Sequence, residues 1–192
     1  VPAYGGLISI ICPEQRPQMA TVAKGVFPNP ELDGSRAGEL VRLALPEEGI
    51  PDVQTLQIVR EDAKGIPLET AQIVVAGGAG VGDAAGWQSI VELAQLLKAG
   101  LGSTRPIVDE GWTELETMIG QSGKMVSPTF YIGIALSGEQ QHMVGLTDAQ
   151  VMVAINSDEK APVFEQVDLG IVDDCREFIP VLVEKLEEYL AA

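Results

Sequence analysis

Small and hydrogen-bonding residues recur at the points where apolar runs end, and such positions can do chemistry on a ligand. Gly77, Gly78, Gly80 and Gly82 follow one run, and Thr104-Arg105 begins a second. Ser137-Gly138, with Gln141 and His142 close behind, follows a third; Asn156 follows a fourth, and Asp174 comes just after a fifth. A row of this kind suits a long ligand with a sugar, a pyrophosphate and a ring system, held by backbone N–H groups and hydroxyls. Each piece alone has a plain structural reading. The glycines do not follow GxGxxG and equally suit a tight strand-to-helix turn. Arg105 reads equally as a surface ion-pair partner, Asn156 as a turn residue, and His142 as a satisfied buried histidine. Asp174 reads as a helix cap, and Gly120-Gln121-Ser122-Gly123 as an ordinary polar loop.

Other chemistries find little support. Cys12 and Cys175 are far apart and make no CxxC, and a single histidine leaves no ligand set for zinc and no acid–base relay. No nucleophile–base pair stands out, so neither a catalytic residue nor a metal ligand is expected, which suits a carrier rather than a hydrolase or transferase.

The elements that must position these residues form two stretches. Before residue 69 the chain reads as β structure: Leu7–Cys12, Gln18–Ala23, Glu39–Leu45 and Val53–Asp62, with a loop over 25–35 that holds two prolines. From residue 70 strands and helices alternate. Strands are expected at Thr70–Ala76, Thr104–Val108, Thr129–Leu136, Val151–Ile155 and Leu169–Val172. The three- and four-residue recurrence of Trp87, Ile90, Val91, Ala94 and Leu97 predicts a helix from about Ala84, ended by Gly100 and Gly102. A short helix follows Gly138. A last helix opens at Asp174 with a capping-box pattern to Glu177 and a buried stripe of Phe178, Leu182, Leu186 and Tyr189. Near-continuously apolar strands alternating with helices predict an α/β fold, a parallel sheet covered by helices on both faces. The expected units are a β-rich 1–69 and a ligand-binding 70–192.

The 192 residues carry a formal net charge of −16, which argues against nucleic acid and against an anionic membrane surface. The apolar runs are too short to span a bilayer, and no basic-then-apolar leader opens the chain. The cysteine usage suits a reducing compartment, the cytoplasm or an organelle interior.

The stretches STRPIVDEGW (103–112), IGQSGKMVSPTFYIGIALSGEQQHMVGL (119–146) and VMVAINSDEKAPVFEQVDLGIVDDCREFIPVLVEKL (151–186) resemble the FAD domain of electron-transfer flavoprotein alpha subunits. RPQMATVAKGVF (16–27) resembles the end of that subunit's N-terminal domain. The resemblance implies a Rossmann-like FAD domain at 70–192, with 1–69 as the β-rich tail of an N-terminal domain and a connector. It implies FAD bound noncovalently, a beta subunit as partner in a heterodimer, an acyl-CoA or related dehydrogenase as donor, and no substrate reaction of the subunit's own. By position it implies Thr104 and Arg105 beside the flavin ring, and Ile119, Gly120, Gln121 and Ser122 at the edge of the isoalloxazine. Ser137, Gly138, Glu139, Gln140, Gln141 and His142 would meet the pyrophosphate and the pyrimidine end; Asn156, Asp174 and Cys175 would hold the adenosine half. Ala79 stands where the family commonly has an arginine, Ser122 where it has threonine, and Glu139 where it has a small apolar residue. Two other readings stay open: an NAD-using enzyme on a similar sheet, and an interaction module without cofactor.

Overall fold

The computed structural model describes residues 65–146 and 149–191 continuously, together with short pieces of the chain before residue 58. Most of the expected early strands, and Cys12, lie outside the described residues. Ile8–Ser9, inside the expected Leu7–Cys12 strand, pairs antiparallel with Pro2–Ala3. Residues 38–44 are described and make no strand, so the alternation over Glu39–Leu45 has no sheet to join among the described residues. Alternation gives a strand tendency, and pairing makes the strand.

The sheet has five parallel strands: β1 (Ile73–Gly77), β2 (Gly100–Ser103), β3 (Phe130–Ile134), β4 (Val151–Asn156) and β5 (Leu169–Val172), in the order β2-β1-β3-β4-β5. Registers such as Val75 opposite Ile132 and Ala154 opposite Gly170 run through it. The order reverses between β1 and β3, which is the switch point of a doubly wound sheet and opens a crevice beyond the strands' carboxyl ends.

One face is covered by helices. α1 (Ala84–Leu96) starts at Asp83, whose carboxylate accepts from Gly86 N at 2.9 Å, and buries Trp87, Ile90, Leu93 and Ala94. α4 (Cys175–Ala191) packs beside α1 and buries Cys175 and Ile179, with Phe178, Leu182, Val183 and Leu186 at the margin. Tyr189, expected in that stripe, is 78% exposed; the buried face runs through Ile179 instead. The capping box is also rearranged: the Asp174 carboxylate accepts from Arg176 N, while Asp173 rather than Glu177 accepts from Asp174 N. The other face is covered by Leu68, Ala71, Ile119, Val126, Ala161 and Val163, from short turns and loops, over Val74, Ala76, Tyr131 and Ala154. Burying each of the valine, leucine and isoleucine side chains among them contributes about 1.5–3 kcal/mol.

The stretch after α1 departs from the sequence expectation. Gly100 and Gly102 lie inside β2, and Arg105–Asp109 is not a strand but a short helix, α2, with Pro106 in its first turn. The glycines are there because neighbours come close: a Cβ at Gly102 would sit 2.5 Å from Ile119 Cδ1, and one at Gly100 would sit 2.8 Å from Ala71 Cβ. Proline fits a first helical turn, where its missing N–H costs nothing. The other short helix, α3 (Gln140–Met143), follows β3 as expected.

Candidate functional site

The loops after β1, β2, β3 and β4 converge on one cleft of about 470 Å³, within the ~300–1,000 Å³ typical of ligand sites. Its walls include Thr104, Arg105, Ile119, Gly120, Gln121, Ser122, Ser137, Gly138, Glu139, Gln141, His142 and Asn156. A wider groove of about 1140 Å³ lies elsewhere, between the turn at Gly65–Glu69 and the end of α1. No strand ends converge there, so the chemistry belongs to the smaller cleft.

Close contact between the loops after β1 and β3 shapes the floor. Gly78 N donates to Ile134 O at 2.9 Å and Gly80 N to Ala135 O at 3.0 Å. A Cβ on Gly78 would lie 2.5 Å from the Ala135 carbonyl oxygen, so this glycine is required by the loop contact. Ala135 itself has φ +54°, an uncommon conformation for alanine that turns the chain out of β3 at the cleft.

Beyond Ala135 the chain is open to a ligand. Ser137 and Glu139 are exposed, and the backbone N–H groups of Ser137, Gly138 and Glu139 have no hydrogen-bond partner among the described residues. Such a run of free donors is suited to phosphate oxygens. The charged side chains on the walls are one cation, Arg105, and two carboxylates, Glu139 and Asp158. Arg105 is 70% exposed and 3.4 Å from Asp109 on its own helix, a weak surface pair that leaves it recruitable. An anionic ligand would therefore rest mainly on backbone N–H groups and hydroxyls, and this donor set fits a dinucleotide pyrophosphate.

Asn156 lines the cleft but is already engaged. Its Nδ2 donates to Leu136 O at 2.8 Å and its Oδ1 accepts from Asp158 N at 2.9 Å, so it ties the end of β3 to the turn after β4. His142 is likewise committed. Nδ1 lies 3.1 Å from Ile119 O and Nε2 2.8 Å from the Tyr131 hydroxyl. A carbonyl only accepts, so Nδ1 carries the proton and Nε2 accepts from Tyr131. Burial lowers the His142 pKa to about 4, partly offset by the Ile119 carbonyl, so the ring is neutral near pH 7. With both ring nitrogens engaged inside the protein, His142 has no N–H left to donate to a ligand.

Three expected residues do not line the cleft: Gln140, Asp174 and Cys175. Asp174 follows β5, two strands away from the switch point, and binds Arg176 at 2.7 Å. That hydrogen-bonded guanidinium lowers its pKa to about 2. Cys175 is buried among the α1 and α4 side chains, its Sγ 4.0 Å from Gly80 O, and burial raises its thiol pKa. Residues not singled out in the sequence also form walls, among them Met118, Leu136, Ala161 and Pro162. Ala161 and Pro162 belong to a 3₁₀ turn at Pro162–Glu165, and the only sequence signal for it was the Ala-Pro pair after the acidic turn.

The family described as electron transfer flavoprotein FAD-binding domain matches residues 67–147, a range that includes most of the cleft. The chain is 38% identical over 194 residues to Protein FixB of Clostridium saccharobutylicum, covering 100% of this chain and 58% of that protein. It is 39% identical over 191 residues to the electron transfer flavoprotein subunit alpha of Thermoanaerobacterium thermosaccharolyticum, covering 97% and 58%. To the subunit alpha of Megasphaera elsdenii it is 37% identical over 192 residues, covering 97% and 57%. The chain thus spans somewhat under two thirds of the length of these relatives. Over nearly its whole length the chain is similar to electron transfer flavoprotein alpha subunits and FixB proteins, and its residues 67–147 match the electron transfer flavoprotein FAD-binding domain.

Proposed function

We propose that this chain holds FAD noncovalently in the cleft at the switch point and serves as the flavin-carrying subunit of an electron carrier. The observation that carries this reading is the convergence of four loops, centred on Thr104-Arg105, Ile119–Ser122, Ser137–His142 and Asn156, on one cleft. FAD, when bound, supplies the reversible redox chemistry; the protein binds, orients and tunes it. The free N–H groups from Ser137 to Glu139 would take the pyrophosphate. Thr104, Gln121, Ser122 and Gln141 would offer hydrogen bonds along the ring system, and Arg105 the positive charge that favours its reduced, more negative form. Asn156 would shape the wall through its two loop contacts. Asp174 and Cys175, outside the cleft, are not assigned to it.

The unit proposed to hold the cofactor runs from about residue 70 to 192. The turn at Leu68–Thr70 already contributes Leu68 to its core, so the boundary near residue 69 is a working division. The names of two relatives include "subunit alpha", which supports proposing a beta subunit as partner in a heterodimer. A dehydrogenase of the acyl-CoA type is proposed as donor, with no substrate reaction belonging to this chain. No helix among the described residues is long and apolar enough to cross a membrane. The cytoplasm is proposed as the compartment.

The test is cofactor content. The purified chain should be yellow, and extraction followed by chromatography should return FAD. A colourless protein that takes up NAD and ignores FAD would overturn the proposal. Coexpression with a beta-type subunit should give a stable heterodimer whose flavin is reduced by an acyl-CoA dehydrogenase and its substrate.

A further inference from the structure

Tyr131 is the largest fully buried side chain in the core, and it sits in an otherwise apolar cluster on the loop-covered face of the sheet. A phenylalanine would fill the same space with no polar atom to satisfy. A buried hydroxyl is tolerable only with a partner, and that partner is His142 Nε2 at 2.8 Å. Room for the ring is made two residues along the same face: a Cβ at Gly133 would lie 3.0 Å from Tyr131 Cε1.

The donor order then runs one way. Tyr131 O–H donates to Nε2, and Nδ1–H donates to Ile119 O. The line of bonds thus joins β3 to α3 and α3 to the loop that carries Gly120, Gln121 and Ser122. The same loop and α3 meet again where Gln121 N donates to Gln141 O at 2.8 Å, and Gly120 packs against that carbonyl with no room for a Cβ. These two adjoining segments both line the cleft, and the His142 side chain joins them.

We infer that Tyr131 is a positioning residue of the cofactor site: its hydroxyl donates to His142 Nε2 and holds the ring where Nδ1–H meets Ile119 O, and so fixes the loop at Ile119–Ser122 against the segment Ser137–Gln141. This rests on the FAD reading of the cleft. Tyr131 touches no ligand and acts through His142. Without the hydroxyl, Nε2 is left without a donor inside the core and the ring loses its anchor on β3. Nδ1–H still favours the Ile119 carbonyl, but the ring that carries it is held at one end only, and the loop is held less firmly.

The test uses the full chain labelled with 15N-histidine, in which His142 is the single imidazole. Wild-type protein should show a protonated Nδ1 and an unprotonated Nε2 at neutral pH. Tyr131→Phe should keep Nδ1 protonated but move the resonance of Nε2, whose hydrogen bond is lost, and bind FAD about five- to tenfold more weakly, the worth of roughly one hydrogen bond. The visible absorption envelope of its bound flavin should also shift. A protonated Nε2 in the wild type overturns the inference whether or not Tyr131→Phe folds. Normal FAD uptake with an unchanged Nε2 resonance and affinity in Tyr131→Phe overturns Tyr131's part alone. Absence of FAD uptake by the wild type overturns the cofactor reading beneath it, while the imidazole signals still report on the bonds themselves.

Discussion

Arg105 and His142 illustrate how differently two side chains on one wall can act. Arg105 is exposed and, among the described residues, paired with Asp109 alone, so its charge can respond to a bound ring. Replacing it with alanine should make the flavin harder to reduce, by roughly 20–40 mV for a two-electron couple if the charge contributes about 1–2 kcal/mol. A redox titration of the two proteins checks this, and an unchanged or higher potential would remove Arg105 from the role. His142 is neutral and fully occupied. Its folded pKa of about 4 lies below the ordinary 6.5. The unfolded chain therefore takes up a proton that the folded one refuses as pH falls from about 6.5 to about 4. Stability is lost across that window, by roughly 3 kcal/mol at its acid end. Urea unfolding at several pH values should show a flatter profile for His142→Gln than for wild type. Legibility at this scale was uneven. The types and spacing of Thr104-Arg105, Ser137-Gly138 and Asn156 led to the cleft, because strand ends are where a parallel sheet opens. The partners of His142 were not legible, since Tyr131 and Ile119 reach it through tertiary packing.

At the level of elements, the loop after β1 and the loop after β3 touch through bare backbone. Gly78→Ala would put a methyl group 2.5 Å from Ala135 O and 2.6 Å from Leu136 Cα, and neither is the flexible end of a side chain. We expect this substitution to cost about 1–3 kcal/mol and to spread the cleft, weakening FAD binding. Gly38→Ala, where nothing lies within 4 Å, serves as the control in the same denaturation and titration series. The strands β1, β3, β4 and β5 were readable because each is a short apolar run closed by small or polar residues. β2 was misplaced for a physical reason. Its glycines look like helix terminators in sequence, while in the sheet they admit Ala71 and Ile119. Ile107 and Val108, strand formers by type, sit in α2 because Pro106 starts a helical turn and Ile107 is wanted in the core beside α1. Propensity yielded to packing there.

For the whole molecule, a formal net charge of −16 meets a ligand that carries a pyrophosphate. Arg105 shares the cleft walls with Glu139 and Asp158, so local charge does not reverse the global repulsion. Raising NaCl from about 20 mM to about 300 mM should therefore tighten FAD binding, roughly twofold or more, where a basic site would weaken. Glu139→Gln should recover part of that gain, about twofold, at low salt. Fluorescence titration of FAD reads both effects; weaker binding with added salt would mean that attractive charge pairs dominate. The fold class was legible from alternation alone, yet the order β2-β1-β3-β4-β5 was not, because strand order is decided by pairings between distant segments. One such long-range partnership has a further result. α4 begins at Cys175 and lies against α1, which begins at Ala84. The helical layer is therefore incomplete until residues far downstream have left the ribosome. During synthesis the helix-covered face of the sheet, with Ile132 and Ile155, stays partly uncovered until α4 emerges.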